Sequence, residues 1–181
     1  MANFAEGNDI TGTDLLEWSR HQSSATSCIK KKGKRSTYSG MISLITPGIY
    51  LGNKAASSDL DLLKRLSIVA IINIGGGKCY FPIEFEYFRI AIKDSDEVPY
   101  LPYFEEACNF AQFWKKRGSI LFHCRGGMHR SPCFLAAHLI RNESLSMTQA
   151  LTVISLGRPI ANPTPHMVSE LKEFEKLINK S

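Results

Sequence analysis

The sequence predicts one α/β domain built on a central, mostly parallel sheet of about five strands flanked by helices. From Met41 onward, short β-branched runs alternate with longer segments of helical period, the pattern of strand–helix–strand units. A chain of 181 residues with 44% apolar content fills one sizeable core rather than two. Residues 1–40 carry one short apolar patch, Leu15, Leu16 and Trp18, with no sustained period, and read as a mobile tail ahead of a domain over 41–181.

Residues 41–52, MISLITPGIYLG, read as strand interrupted by a turn at Pro47 and Gly48. Ser58 precedes an apolar-periodic run of Leu60, Leu63 and Leu66, and Asp59 and Asp61 suit the positive end of a short helix. Residues 68–74, IVAIINI, form the continuous run of a strand buried on both faces. Gly75, Gly76 and Gly77 end it; with Lys78 they lack the Walker spacing, so they read as a turn. Another strand is expected over 87–92. Leu101, Phe104, Ala107, Cys108, Ala111 and Trp114 then recur at helical spacing up to a stop at Gly118.

SILFHC, residues 119–124, is a strand, and SPCFLAAHLI is a helix apolar almost all round, with Pro132 near its first turn. His138 on that helix reads as a core histidine. Ser146 and Gln149 spell a capping box, and Gly157 with Pro159 stops the helix it starts. Val168, Leu171, Phe174 and Ile178 mark one face of a last helix after the turn at Pro163 to Pro165.

The longest apolar runs are too short to span a bilayer, and MANFAEGNDI lacks the pattern of a secretory or myristoylation signal. Five cysteines without paired short spacings fit a reducing compartment. The chain is therefore expected in the cytoplasm, with the nucleus as an alternative. Part of the net charge of +5 sits in one cluster, Lys30, Lys31, Lys32, Lys34 and Arg35. A solvated tail is the favoured reading, against nuclear targeting or an acidic partner surface. No stable nucleic-acid or membrane partner is expected.

The chemistry concentrates in HCRGGMHRSP, residues 123–132, between a buried strand and a buried helix. Gly126 and Gly127 allow the backbone to curl so that successive N–H groups converge at a helix N-terminus, an anion cradle. Arg125, Gly126, Gly127, Met128, His129 and Arg130 would line it, with the Arg130 guanidinium forming a bidentate contact to two oxygens of the anion. The same field favours a thiolate at Cys124, so its pKa should fall below the ordinary value, making it a nucleophile. His123, Cys124 and His129 as metal ligands is a weak alternative, because ligands crowded into one loop without a distant second pair make a poor zinc site. No metal or other cofactor is expected.

These residues resemble the cysteine-based protein tyrosine phosphatases, and within them the small dual-specificity branch. Besides the loop, ITPGIYLGNKAASS is similar to the family's opening strand and turn, and GRPIANPTPHMVSELKEFE to its closing segment. The resemblance implies hydrolysis of phosphotyrosine and phosphoserine/threonine in phosphoproteins through a phosphocysteine at Cys124. It also implies an aspartic acid that protonates the leaving oxygen. In YFRIAIKDSDEVPYLPYF the best placed is Asp94, with Asp96 second and Glu97 read, like Asp96, as a solvated loop carboxylate. Ser131 would hydrogen-bond the departing sulfur, and His123 would orient the loop from behind. A thiolate with a protonated acid implies a bell-shaped rate profile on the acid side of neutrality.

Several residues depart from the family pattern. Gly126 stands where the family commonly has Ala, and His129 where it has Ser; Thr164 and His166 replace an expected Asn and Gly. Arg125 and His129 add positive charge at the mouth, which keeps open a more acidic substrate: a phosphoinositide, an inositol polyphosphate or an RNA 5′-phosphate. A phosphate-binding module without catalysis is the alternative from another class. Cys79, Cys108 and Cys133 are candidates to protect Cys124 as a disulfide.

Overall fold

A computed structural model describes residues 40–180. The apolar patch at Leu15 to Trp18 and the basic cluster lie outside the described residues. Among the described residues the order is β1 (Ile42–Thr46), β2 (Ile49–Gly52), a 3-10 turn (Ala56–Ser58), α1 (Leu60–Arg65), β3 (Ile68–Ile74), β4 (Glu86–Ile90), α2 (Leu101–Lys115), β5 (Ser119–His123), α3 (Arg130–Asn142), α4 (Met147–Gly157) and α5 (Pro165–Ile178). The sheet runs β1-β2-β5-β3-β4. Only β1 is antiparallel, joined to β2 through the Pro47–Gly48 turn, where Gly48 has φ +76°. The α/β class and the mostly parallel sheet are as the sequence predicts.

Parallel pairing gives the sheet its functional polarity. β2, β5, β3 and β4 all run the same way, so their C-terminal ends, Gly52, His123, Ile74 and Ile90, lie along one edge. The next residues of each strand form the loops of the site described below.

β3 is buried at every position except Val69, as a continuous β-branched run in mid-sheet requires. On one face, Ile71 and Leu121 pack with Leu63 of α1, Ile68 and Phe85. Helix α3 is buried from Arg130 through Ile140 and packs against α2, α4, α5 and β5. Phe134 of α3 meets Phe104 of α2 edge-on at 5.1 Å, and Phe104 meets Phe174 of α5 at 5.3 Å. Such pairs contribute about 0.5–1.5 kcal/mol each beyond area burial, and here they tie three helices together. His138 is fully buried; burial, with the charge of Lys115, lowers its pKa to about 3, so it is a neutral core residue.

Three local details differ from the sequence expectation. Asp59, not Ser58, caps α1: its Oδ1 accepts from Leu62 N at 2.9 Å, whereas the Ser58 hydroxyl turns back to Ala55 O. β4 stops at Ile90 because the chain folds on itself there, with Ile92 N donating to Ile90 O at 3.0 Å. The buried seam of α5 is Met167, Leu171 and Phe174, while Val168 is only half-buried. Asp59→Ala should cost about 1 kcal/mol in denaturant unfolding, and Ser58→Ala less than about 0.5 kcal/mol. Equal losses from the two would refute the assignment of the cap.

Candidate active site

β5 delivers Cys124 to the loop at the C-terminal edge of the sheet, and α3 begins at Arg130 with His129 as its first flanking residue. Cys124 is 4% exposed. Gly127 N donates to Cys124 Sγ at 3.2 Å, and the Ser131 hydroxyl donates to it at 3.3 Å. Burial alone pushes the thiol pKa up, but hydrogen bonds from the Ser131 hydroxyl and from the N–H groups of Ser131, Gly127 and Met128 outweigh it. The net shift is downward, toward thiolate.

Arg130 lies behind the loop, 8% exposed, with Nη1 donating to Ile92 O at 3.0 Å. Its Nε is buried without a hydrogen-bond partner, 3.5 Å from Asp94 Oδ2. Gly75, at the end of β3, makes room for this guanidinium: a Cβ there would overlap Arg130 Nη1, and φ is +122°. The triglycine turn read from the sequence thus has a second job that nothing in its spacing announces.

Asp94 reaches the mouth from the loop after β4, where its Oδ2 lies 3.4 Å from His129 Nδ1 as well as beside Arg130. Asp96 does not join it there. Asp96 is exposed, as a solvated loop carboxylate would be, and its Oδ1 accepts from the Thr164 hydroxyl at 2.8 Å. Glu97 stays exposed. A cleft of about 330 Å³ lined by Asp94, Ser95, Asp96, His129 and Thr164 opens here.

The glycines of the loop are not equivalent. Gly127 has φ +68°, and a Cβ on it would sit 2.6 Å from Gly52 O. Gly126 has ordinary φ, and its Cβ would meet only Met128 side-chain atoms at 3.7 Å. The curl therefore depends on Gly127 alone, which corrects the expectation that both are needed and explains how Ala suits position 126. Arg125 and Met128 are exposed; Lys54 N donates to Arg125 O, and Asn162 N to Met128 O. His123 is buried beside Cys124, and burial lowers its pKa to about 4, opposed by a hydrogen bond with the Cys124 backbone, so the ring is neutral.

One residue of the site escaped sequence reading altogether. Arg158, 2% exposed, threads under the loop and donates from Nε to Gly127 O at 2.8 Å and from Nη2 to Gly126 O and Gly40 O. Burial lowers its pKa, opposed by the charge of Cys124. It turns the loop carbonyls inward, which leaves the N–H groups facing the sulfur. A lone Arg between a helix-ending Gly157 and Pro159 was the available signal, but its acceptors lie 31 and 118 residues away. Among the described residues Cys79, Cys108, Cys124 and Cys133 are free thiols; burial pushes Cys108 up to about 12 and Cys133 up as well, so neither is a ready nucleophile toward an oxidised partner.

A strand–loop–helix anion cradle holding a cysteine thiolate and a buried arginine defines the class, the protein tyrosine phosphatase superfamily. Residues 49–177 match the family model described as "Dual specificity phosphatase, catalytic domain", and the chain belongs to that family, in its small atypical branch. It is 36% identical over 131 residues to human dual specificity protein phosphatase 15, covering 72% of this chain and 44% of the relative. To Arabidopsis thaliana dual specificity protein phosphatase 1 it is 30% identical over 141 residues, covering 77% and 71%. This chain thus spans less than half the length of the human relative. The crystal structure of DUSP15 superposes with a TM-score of 0.72 at 33% identity, covering 78% of this chain and 94% of that one.

Alkylation of Cys124 by iodoacetamide should reach half its limiting rate at a lower pH than for a free cysteine, since only the thiolate reacts. Ser131→Ala should raise that midpoint, because it removes the largest of the stabilising hydrogen bonds. No difference from free cysteine would contradict the charge assignment. Gly126→Ala should leave stability and phosphate affinity nearly unchanged, whereas Gly127→Ala should lose both, with unfolding shifted by at least about 1 kcal/mol.

Proposed function

We propose that the chain is a protein phosphatase that hydrolyses phosphotyrosine and phosphoserine/threonine through a phosphocysteine at Cys124. The observation that carries this reading is the pairing of a buried, hydrogen-bonded sulfur with a buried guanidinium whose Nε has no hydrogen-bond partner. A phosphoryl dianion would offer this guanidinium further acceptors beside the Asp94 carboxylate.

In the first step the Cys124 thiolate attacks phosphorus and the P–O bond to the leaving group breaks, while Asp94 gives its proton to the departing oxygen. The Arg130 guanidinium and the loop N–H groups hold the equatorial oxygens as charge spreads over them. In the second step water attacks phosphorus, Asp94 takes a proton from it, and the S–P bond breaks, releasing inorganic phosphate. The Ser131 hydroxyl, 3.3 Å from the sulfur, stabilises the returning thiolate. The position of Asp94 at the mouth of the loop supports Asp94 over Asp96 as the acid, since Asp96 is turned to Thr164.

The acidic-substrate reading draws on Arg125, the exposed cation of the loop; the contact of His129 with Asp94 counts against His129 as a second one. Turnover of an aryl phosphate without added metal, with Cys124→Ser as control, tests catalysis itself. Wild-type turnover no faster than that of Cys124→Ser would instead support a phosphate-binding module. Phosphopeptides and phosphoinositides compared at equal concentration should favour the peptides. A preference of tenfold or more for the lipid headgroup would replace the proposed substrate class.

A further inference from the structure

The closing segment after Arg158 and the loop after β4 come from distant parts of the sequence, yet they are joined by a chain of polar contacts. Thr164 Oγ1 donates to Asp96 Oδ1 at 2.8 Å. His166 Nε2 lies 3.2 Å from Val98 O and 3.4 Å from Glu170 Oε1, with its ring tilted against that of Tyr100 at 5.9 Å between centroids. Glu170 Oε2 accepts from both Tyr100 N and Leu101 N at 2.6 Å, capping α2 from another helix. Tyr100, fully buried, donates its hydroxyl to Lys93 O at 3.0 Å and Ser95 O at 3.1 Å, and Ser95 N donates to that oxygen at 3.3 Å.

The backbone on both sides of Asp94 is therefore pinned through Tyr100, and the segment beyond it is pinned by Thr164 and His166. Asp94 itself sits between two of these anchored points on an otherwise exposed loop. We infer that Thr164 and His166 are positioning residues that latch the Asp94 loop over the mouth of the site, acting through Asp96 and Val98. The inference rests on the reading of Asp94 as the acid and deepens it. The geometry needed for proton transfer is narrow, and a displacement near 1 Å at such a group can cost up to about a hundredfold in rate.

A merely structural role and a role through Asp94 differ in one readout. Proton donation matters for a poor leaving group and little for a good one, so loss of the acid steepens the dependence of kcat/KM, which reports the first step, on leaving-group pKa. Measured on the full chain with a series of aryl phosphates, Asp94→Ala sets that scale. Thr164→Val and His166→Ala should each lower kcat/KM about tenfold for the poorest leaving groups and hardly at all for the best. Thr164→Ser should restore most of the loss. Asp96→Ala breaks the same bond without touching the cap that Thr164 provides to α5, and should reproduce Thr164→Val.

In the Asp94→Ala background Thr164→Val should cost nothing further, the signature of two residues acting as one unit. Equal losses across the leaving-group series, an undiminished loss in that background, or weakened vanadate inhibition would overturn the latch, because each marks damage to the loop around Cys124 instead. If Asp94→Ala leaves the leaving-group dependence unaltered, the acid assignment fails and the latch falls with it. If Asp94→Ala steepens it and the Thr164 and His166 variants do not, the latch alone fails.

Discussion

A negative charge on a sulfur that water barely reaches is the constraint around which this molecule is organised. Removing the thiolate from solvent works against ionisation, and the loss must be made good by dipoles already pointing at the sulfur. The Ser131 hydroxyl and the N–H groups of Gly127, Met128 and Ser131 provide them. Such groups converge only where a loop turns tightly into a helix, so the strand β5, the αL conformation of Gly127 and the start of α3 form one device.

The parallel sheet makes that device possible by bringing four strand ends to the same edge. β5 supplies Cys124, β3 supplies the bare backbone of Gly75 against Arg130, β4 leads to Asp94, and β2 ends with the Gly52 carbonyl close under Gly127. Arg158 completes it from below. Its guanidinium gathers the carbonyls of Gly40, Gly126 and Gly127, and a flipped loop peptide that took the buried Gly127 carbonyl away from it would cost about 1–3 kcal/mol. A buried cation thereby sets the direction in which the cradle's donors point.

The sequence displays whatever is encoded locally. The β-branched run of β3, the turn at Pro47 and Gly48, the capping box at Ser146 and Gln149, and the loop from Cys124 to Arg130 are each written within about ten neighbouring residues, where period and turn chemistry operate. Contacts between distant segments are not so written. Glu170 caps a helix 69 residues earlier in the chain, and Arg158 reaches a carbonyl 118 residues away. Asp59 and Ser58 are both good caps by type, and only the backbone geometry decides between them. Gly126 and Gly127 likewise look alike until φ is known. The candidate catalytic residues were legible because strand, loop and helix are contiguous; the residues that aim them were not.

Trapping the covalent intermediate tests the central claim most directly. Acid quench within the first turnover of a phosphotyrosine peptide, followed by mass spectrometry of the peptide that holds residues 123–130, should find one phosphoryl group on the Cys124 sulfur and none in Cys124→Ser. A phosphoryl group on His123 or His129, or turnover that leaves Cys124 unmodified throughout, would contradict the account.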